Sequence, residues 1–263
     1  MAKGDLRPAS AKEVAALLHD APFDQVERLV ARYGEDPRAQ VRRAVDQARR
    51  RHEAERAERD RVQAMYDLQQ ELAAGGIALG VDEVGRGAIA GPLTVCAVAL
   101  PLEPIIWGLN DSKQLTPLRR EALAAQVAQH ALAIGMAHIE PASIDAVGMA
   151  VALRMGMAQA IENAAIEPDV VLIDGNPVHV HPKEMTLVKG DARIACIAAA
   201  SIVAKVTRDA MMTAYAEDYP GYHLDSCKGY GSAEHVAAIG ELGLSPIHRV
   251  SFCGNFLETP RLF

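Results

Sequence analysis

Residues 77–100 read IALGVDEVGRGAIAGPLTVCAVAL, and this stretch sets the expected fold. It is an apolar strand that ends on two adjacent carboxylates, Asp82 and Glu83. A glycine-rich turn, Gly85-Arg86-Gly87, follows at once, and the chain returns as a second apolar run from Leu93 to Leu100. Gly85, Gly87 and Gly91 permit backbone angles and close approaches that a side chain would forbid, so a ligand can rest against bare N–H groups. Arg86 adds a planar charged fork suited to phosphate. Alone, the pattern also fits a solvated strand end followed by an ordinary turn.

The next apolar runs extend the idea. Val170 to Asp174 is a second buried strand that closes on a carboxylate before Gly175. Met185 to Val188 is a short strand leading through Lys189-Gly190 to Asp191, read as the first residue of a helical run to about Glu217. Ala133 to Ile139 reads as a further strand between a helix from about Pro117 to Leu132 and a Ser143-capped helix to about Ala165. An opening hairpin followed by strand–helix units predicts a mixed sheet covered by helices. If the acid-tipped strands are neighbours, Asp82, Glu83, Asp174 and Asp191 meet on one rim, where sites form in such folds. Each acid has a plainer explanation: Asp191 caps a helix, Asp174 makes a turn, and one of Asp82 and Glu83 points away. Four acids converging on one place would repel unless hard cations such as Mg²⁺ or Mn²⁺ lay between them.

Upstream lies a different composition. Ser10 and Glu13 form a capping-box pattern that opens a helix through Leu18. Pro22 and Gly34 bracket a second helix, and Asp36-Pro37 starts a third that runs toward the Gly75-Gly76 break. Residues 1–72 are therefore expected to form a small helical extension, and 73–263 a separate α/β domain. Arg38, Arg42, Arg49 and Arg56 share a narrow arc of the third helix and can either track a nucleic-acid backbone or form a solvated face balanced by neighbouring acids.

The first 72 residues hold 14 basic and 14 acidic side chains, so the net charge of −7 belongs to the remainder. An acidic body argues against a generic DNA-coating protein and suits an enzyme that gathers carboxylates around metal. The four cysteines, Cys96, Cys196, Cys227 and Cys253, include no CxxC and fit a reducing compartment. The pairs His223/Cys227 and His248/Cys253 lack a second pair nearby to complete a zinc site. With no membrane-length apolar run and no apolar leader core, the protein is expected to be cytoplasmic and to act as a monomer.

The blocks GVDEVGRGAIAGP (80–92), DSK (111–113), LIDG (172–175), KGD (189–191), ASIVAKVTRD (200–209), KGYG (228–231) and HRVSF (248–252) together resemble ribonuclease HII, the type 2 ribonuclease H family. They stand in family order and cover 77 to about 256. The resemblance implies a ribonuclease H-like α/β fold and a metal-dependent endonuclease that cuts on the 5′ side of a ribonucleotide in an RNA–DNA hybrid or in DNA. It leaves 3′-hydroxyl and 5′-phosphate ends and serves ribonucleotide removal. Asp82, Glu83, Asp174 and Asp191 would hold the metal, Gly85-Arg86-Gly87 would read the ribonucleotide, and Tyr230 would pack on the next sugar. Ser112 and Lys113 are read as phosphate contacts, with Lys205 and Arg208 facing the nucleic-acid backbone. Ala88 stands where the family often has proline, Gly148 where it often has asparagine, and Ser232 where threonine is usual. The terminal Leu262-Phe263 resembles the end of a sliding-clamp peptide. Another nuclease or integrase of the superfamily would share the acids without the glycine turn and Tyr230. A non-catalytic nucleic-acid-binding protein is the reading from a different class. An ATPase would be a third, weakened by the missing GxxxxGK[ST] loop.

Overall fold

The computed structural model describes residues 9–255. Its contacts divide the chain into two compact units, Met1–Arg61 and Val62–Phe263. The division falls inside the third helix rather than after residue 72, where the sequence placed it. The helix does run on to Leu72, but Val62, Met65 and Tyr66 are already buried in the second unit's core. The Tyr66 hydroxyl accepts the Ile106 N–H at 3.1 Å, and the Gln69 side-chain oxygen accepts the Cys196 N–H at 2.9 Å.

The first unit comprises α1 (Ala11–Asp20), α2 (Phe23–Tyr33) and the start of α3 (Ala39–Leu72). The capping box at Ser10 and Glu13 forms as read, with Ser10 Oγ accepting the Glu13 N–H and Glu13 accepting the Ser10 N–H. Val14, Leu18, Val26, Val41, Val45 and Ala48 are its core. Arg51 caps the end of α1 by donating to the carbonyls of Leu18, His19 and Ala21. Of the arginine arc, Arg38 is paired with Asp36 at 2.6 Å, whereas Arg42, Arg49 and Arg56 are exposed.

The second unit is built on a five-stranded sheet from β1 (Ala78–Val84), β2 (Leu93–Ala99), β3 (Ala133–Ile139), β4 (Val170–Asp174) and β5 (Glu184–Leu187). Its order is β3-β2-β1-β4-β5. The β1–β2 and β2–β3 pairs are antiparallel; β1–β4 and β4–β5 are parallel. Parallel neighbours need helical crossovers, and these cover both faces. One face meets α6 (Met149–Asn163), which follows α4 (Pro117–His130) and α5 (Pro141–Val147) in the chain. The other meets α7 (Ala195–Asp218), whose first ten residues are all buried. That helix lies so close to β1 that a Cβ on Gly80 would fall 2.3 Å from the Cys196 carbonyl carbon.

Two helix boundaries differ from the sequence reading. The segment read as one Ser143-capped helix is α5 and α6, broken at Gly148, whose backbone angles of φ 78° and ψ 156° are essentially confined to glycine. Asp191 does not open α7: Lys189 turns left-handed at φ 57°, and a 3₁₀ turn over Gly190–Ala192 precedes the helix. The short helices α8 (Leu224–Cys227), α9 (Ala233–Leu242) and α10 (Val250–Cys253) complete the unit. No helix among the described residues is long and apolar enough to cross a membrane. Leu262 and Phe263 lie outside the described residues.

Candidate active site

The parallel register pairs Val81 with Ile173, so the next residues along, Asp82 and Asp174, emerge side by side. Strand alternation sends Asp82 toward α7 and Glu83 toward α6, so the two adjacent acids straddle the strand end. Asp191 arrives from its 3₁₀ turn, tied to the same place by the Gly190 N–H donated to Asp174 Oδ1 at 2.6 Å. Asp82, Asp174 and Asp191 thus come to the same end of β1 and β4, with Glu83 on the opposite side of the β1 tip.

These charges are poorly compensated. Burial first, then the charges of Glu83 and Asp174, pushes the Asp82 carboxyl well above its usual range, against the opposing Ser201 hydroxyl. Burial also raises Glu83; Arg86, 3.6 Å away, counters this and the charge of Asp174 adds to it. Asp191 is raised by burial and then by Asp174 and Asp111. Lys113 stands 3.9 Å from both Asp111 and Asp191. Burial works against its charge, but Asp111, Asp191, Asp82 and Asp174 outweigh it and raise its pKa.

A set of carboxylate oxygens with raised pKa values fits a hard divalent cation, which would relieve the repulsion. As the side chains stand, no three His, Cys, Asp or Glu residues among those described close round a single point.

The glycine turn sits directly after the acids and is braced from below. Gly85 has φ 85°, and a Cβ there would lie 2.2 Å from Arg208 Nε. Arg208 is fully buried and donates to the carbonyls of Pro92 (2.9 Å), Lys228 (2.8 Å) and Ala90 (3.0 Å). Arg249, equally buried, donates to the carbonyls of Gly91 and Arg86. The Ile89 and Ala90 N–H groups both donate to the Gly229 carbonyl, at 2.9 and 3.0 Å. The glycine turn and the loop carrying Tyr230 are thus one ledge. Tyr230 is 36% exposed, with the Arg208 guanidinium 5.5 Å and the Lys205 ammonium 5.9 Å from its ring centre.

Some expected roles change. Arg208 does not face outward as a phosphate contact: its guanidinium is consumed by three carbonyls inside the ledge. Ser112 is buried, its hydroxyl accepting from Ser201 at 2.9 Å, and so secures the Asp111–Lys113 loop beside Asp82 instead of presenting a hydroxyl. Lys205 is paired with Asp209 at 2.7 Å and lies on the Tyr230 side. Lys113 and Arg86 are exposed at the acids. Sequence reasoning passed over Asp111, Ser201 and Arg249, although each lies within a quoted block. It also passed over Arg154 and Asn176, which with Glu83, Arg86 and Asp174 line an opening of about 300 Å³.

A mixed sheet in this strand order, with acids on adjacent parallel strand tips, defines a ribonuclease H-like nuclease. A family model described as Ribonuclease HII matches residues 79–255, and one described as Ribonuclease HII N-terminal domain matches 10–73. The ribonuclease HII of Listeria monocytogenes serotype 4b (strain F2365) is 41% identical over 220 residues, covering 83% of this chain and 84% of that one. That of Enterococcus faecalis (strain ATCC 700802 / V583) is 40% identical over 231 residues, 87% and 91% of the two chains. Among solved structures, ribonuclease H2 from Pyrococcus horikoshii OT3 superimposes with a TM-score of 0.59 at 25% identity, covering 70% of this chain and all of that one. The chain belongs to the ribonuclease HII family and is a ribonuclease H endonuclease.

Proposed function

We propose that the enzyme hydrolyses the phosphodiester on the 5′ side of a ribonucleotide within an RNA–DNA hybrid or a DNA duplex. The products are a 3′-hydroxyl and a 5′-phosphate, and the activity serves to remove ribonucleotides from DNA in the cytoplasm. The observation that carries this reading is the braced ledge itself, because it fixes a glycine turn and an exposed tyrosine as one body directly after the carboxylates. Asp82, Glu83, Asp174 and Asp191 are the residues that would hold Mg²⁺ or Mn²⁺, which when bound supply Lewis-acid stabilisation of the leaving oxygen and a more acidic water.

The chain's own residues do the selecting. Only the 2′-hydroxyl distinguishes RNA from DNA at one nucleotide, and the backbone of residues 85–87 can hydrogen-bond it where side chains would block approach. Gly87 supports this: a Cβ there meets nothing within 4 Å, so the fold does not require glycine, whereas an approaching sugar does. The Tyr230 ring, set on the same ledge, packs against the following sugar and leaves no room for a second hydroxyl. Arg86 and Lys113, exposed at either side of the acids, attract the substrate's phosphates. The helical unit adds duplex affinity through Arg42, Arg49 and Arg56.

The test is a labelled DNA duplex with one embedded ribonucleotide, incubated with Mg²⁺ or Mn²⁺ beside an all-DNA control and the Asp174→Asn protein. A single cut 5′ to the ribonucleotide, by wild type alone, is expected. A duplex that is bound but left intact with either metal would overturn the reading.

A further inference from the structure

His235, on α9, and His248, before α10, are 0% and 3% exposed, and their Nε2 atoms meet at 3.1 Å. Two neutral imidazoles touching through the same nitrogen need one proton between them, and the outer contacts decide which ring carries it. His248 Nδ1 faces the Ser245 backbone N–H at 3.0 Å, which can only donate; Nδ1 is therefore bare and the proton sits on Nε2. That proton points at His235 Nε2, which must then accept. The proton of His235 is left on Nδ1, 2.9 Å from the Tyr230 carbonyl, which can only accept. Backbone groups at both ends fix every proton along the chain Ser245, His248, His235, Tyr230. The Ser245 hydroxyl, 2.8 Å from His248 Nδ1, donates into the same end.

The relay terminates on the carbonyl of the residue read as the sugar-packing aromatic. On its other side, Gly229 is held left-handed at φ 79° with its carbonyl accepting the Ile89 and Ala90 N–H groups. The backbone is pinned on both sides of Tyr230, so the direction of its exposed ring is set by the glycine turn on one side and the histidines on the other. We infer that His235 and His248 are positioning residues for Tyr230, and that their one-directional hydrogen-bond relay sharpens discrimination at an RNA–DNA junction. The inference rests on the Tyr230 reading above.

The surroundings keep the relay neutral. The groups packed on it are the Tyr222 ring, 4.8 Å from His248, and the Cys227 thiol, 3.5 Å from His235 Nδ1, with His223 the nearest further titratable neighbour of His235. No carboxylate pairs with either imidazole among the described residues. An added proton would either meet the Ser245 N–H or set two N–H groups head to head. Burial lowers the pKa of both histidines accordingly.

The experiment compares the full-length wild type, His248→Phe, Tyr230→Ala and the double variant. The substrates are a duplex with one embedded ribonucleotide and a continuous RNA–DNA hybrid, and urea midpoints serve as a folding control. His248→Phe is expected to lower the preference for the embedded site by about tenfold, the worth of roughly one hydrogen bond, chiefly through KM. Cleavage of the continuous hybrid should stay unchanged, and the double variant should be no worse than Tyr230→Ala. Equal losses on both substrates, or additive losses in the double variant, would overturn the inference. Full preference in Tyr230→Ala would instead remove the reading beneath it. If His248→Phe does not fold, ¹⁵N spectra of the wild-type imidazoles decide the matter. Protons on His248 Nε2 and His235 Nδ1, with coupling across the Nε2 contact, are expected; the reverse pattern, or a charged ring at neutral pH, refutes the relay.

Discussion

Replacing Arg208 by Met keeps the apolar stem of the side chain and removes its guanidinium, with its charge and its three hydrogen bonds. Bonds from a charged donor contribute about 1.5–3 kcal/mol each, so the three together reach roughly 4.5–9 kcal/mol. Taking the guanidinium out of water offsets several kcal/mol of that, and burial is the first cause of its lowered pKa. The carbonyls of Ala90, Pro92 and Lys228 are then left short of a donor. A net loss of about 3–5 kcal/mol is expected, the usual size when one member of a buried charged contact is deleted. Urea unfolding followed by far-UV circular dichroism measures it as a lower midpoint at constant slope. Activity on the embedded ribonucleotide should fall by about a hundredfold, because the glycine turn and the Tyr230 loop lose a shared brace and misplacement by an ångström costs that much. The dependence of KM on salt should not change, since no phosphate contact is lost. Arg208→Lys should be nearly as harmful, because an ammonium cannot span three carbonyls as a planar fork does. The reasoning fails if Arg208→Met unfolds within about 0.5 kcal/mol of wild type and its defect is a raised KM with flattened salt dependence. That result would return Arg208 to the nucleic-acid backbone.

Three further expectations rest on separate features. Gly85→Ala must hold a methyl group at φ 85° against Arg208, so it should lose about 1–3 kcal/mol and most of its activity; Gly87→Ala meets open space and should keep full stability while losing activity, and a fully active Gly87→Ala would remove the glycine turn from substrate reading. His248, held down to about 4 from a usual 6.5, stays neutral in the fold while the unfolded chain takes up a proton. Its contribution is therefore present above pH 6.5 and lost as pH falls toward 4, so the urea-midpoint difference between wild type and His248→Phe should shrink over that window, and a constant difference would contradict the neutral relay. Replacing Arg42, Arg49 and Arg56 together by Gln should raise KM and flatten its salt dependence; an unchanged KM would leave the helical unit a structural or partner-binding role.

Two strands were legible in full because each is an apolar run closed by an acid, Glu140 after the first and Asp174 at the end of the second: Ala133–Ile139 and Val170–Asp174 form with the bounds read from sequence. The acid rim followed once β1 and β4 proved to be parallel neighbours. What was not legible depended on partners far along the chain. Arg208 looks like any arginine on a helix until its carbonyl partners, 116, 118 and 20 residues away, are known. Val62, Met65 and Tyr66 looked like the end of an extension, because nothing local shows that Tyr66 reaches Ile106. Gly148 was hidden inside a continuous Ala, Met and Val pattern, where a single glycine need not stop a helix. The start of α7 was misread for the opposite reason: Asp191 resembles a cap, and the left-handed Lys189 that forces an intervening turn has no side-chain signature.

These long-range contacts also explain how the site keeps its charges available. Asp82, Glu83 and Asp191 are raised in pKa by burial and by neighbouring carboxylates, while Arg208 and Arg249, beneath the glycine turn, are lowered by burial. The charge of Arg208 lowers Arg249 further, so the two cations repel as the acids do. Pairing a buried arginine with a rim carboxylate would relieve both. The fold prevents it by giving the guanidiniums backbone carbonyls, which satisfy their donors without neutralising them, and by placing the glycine turn between the two groups.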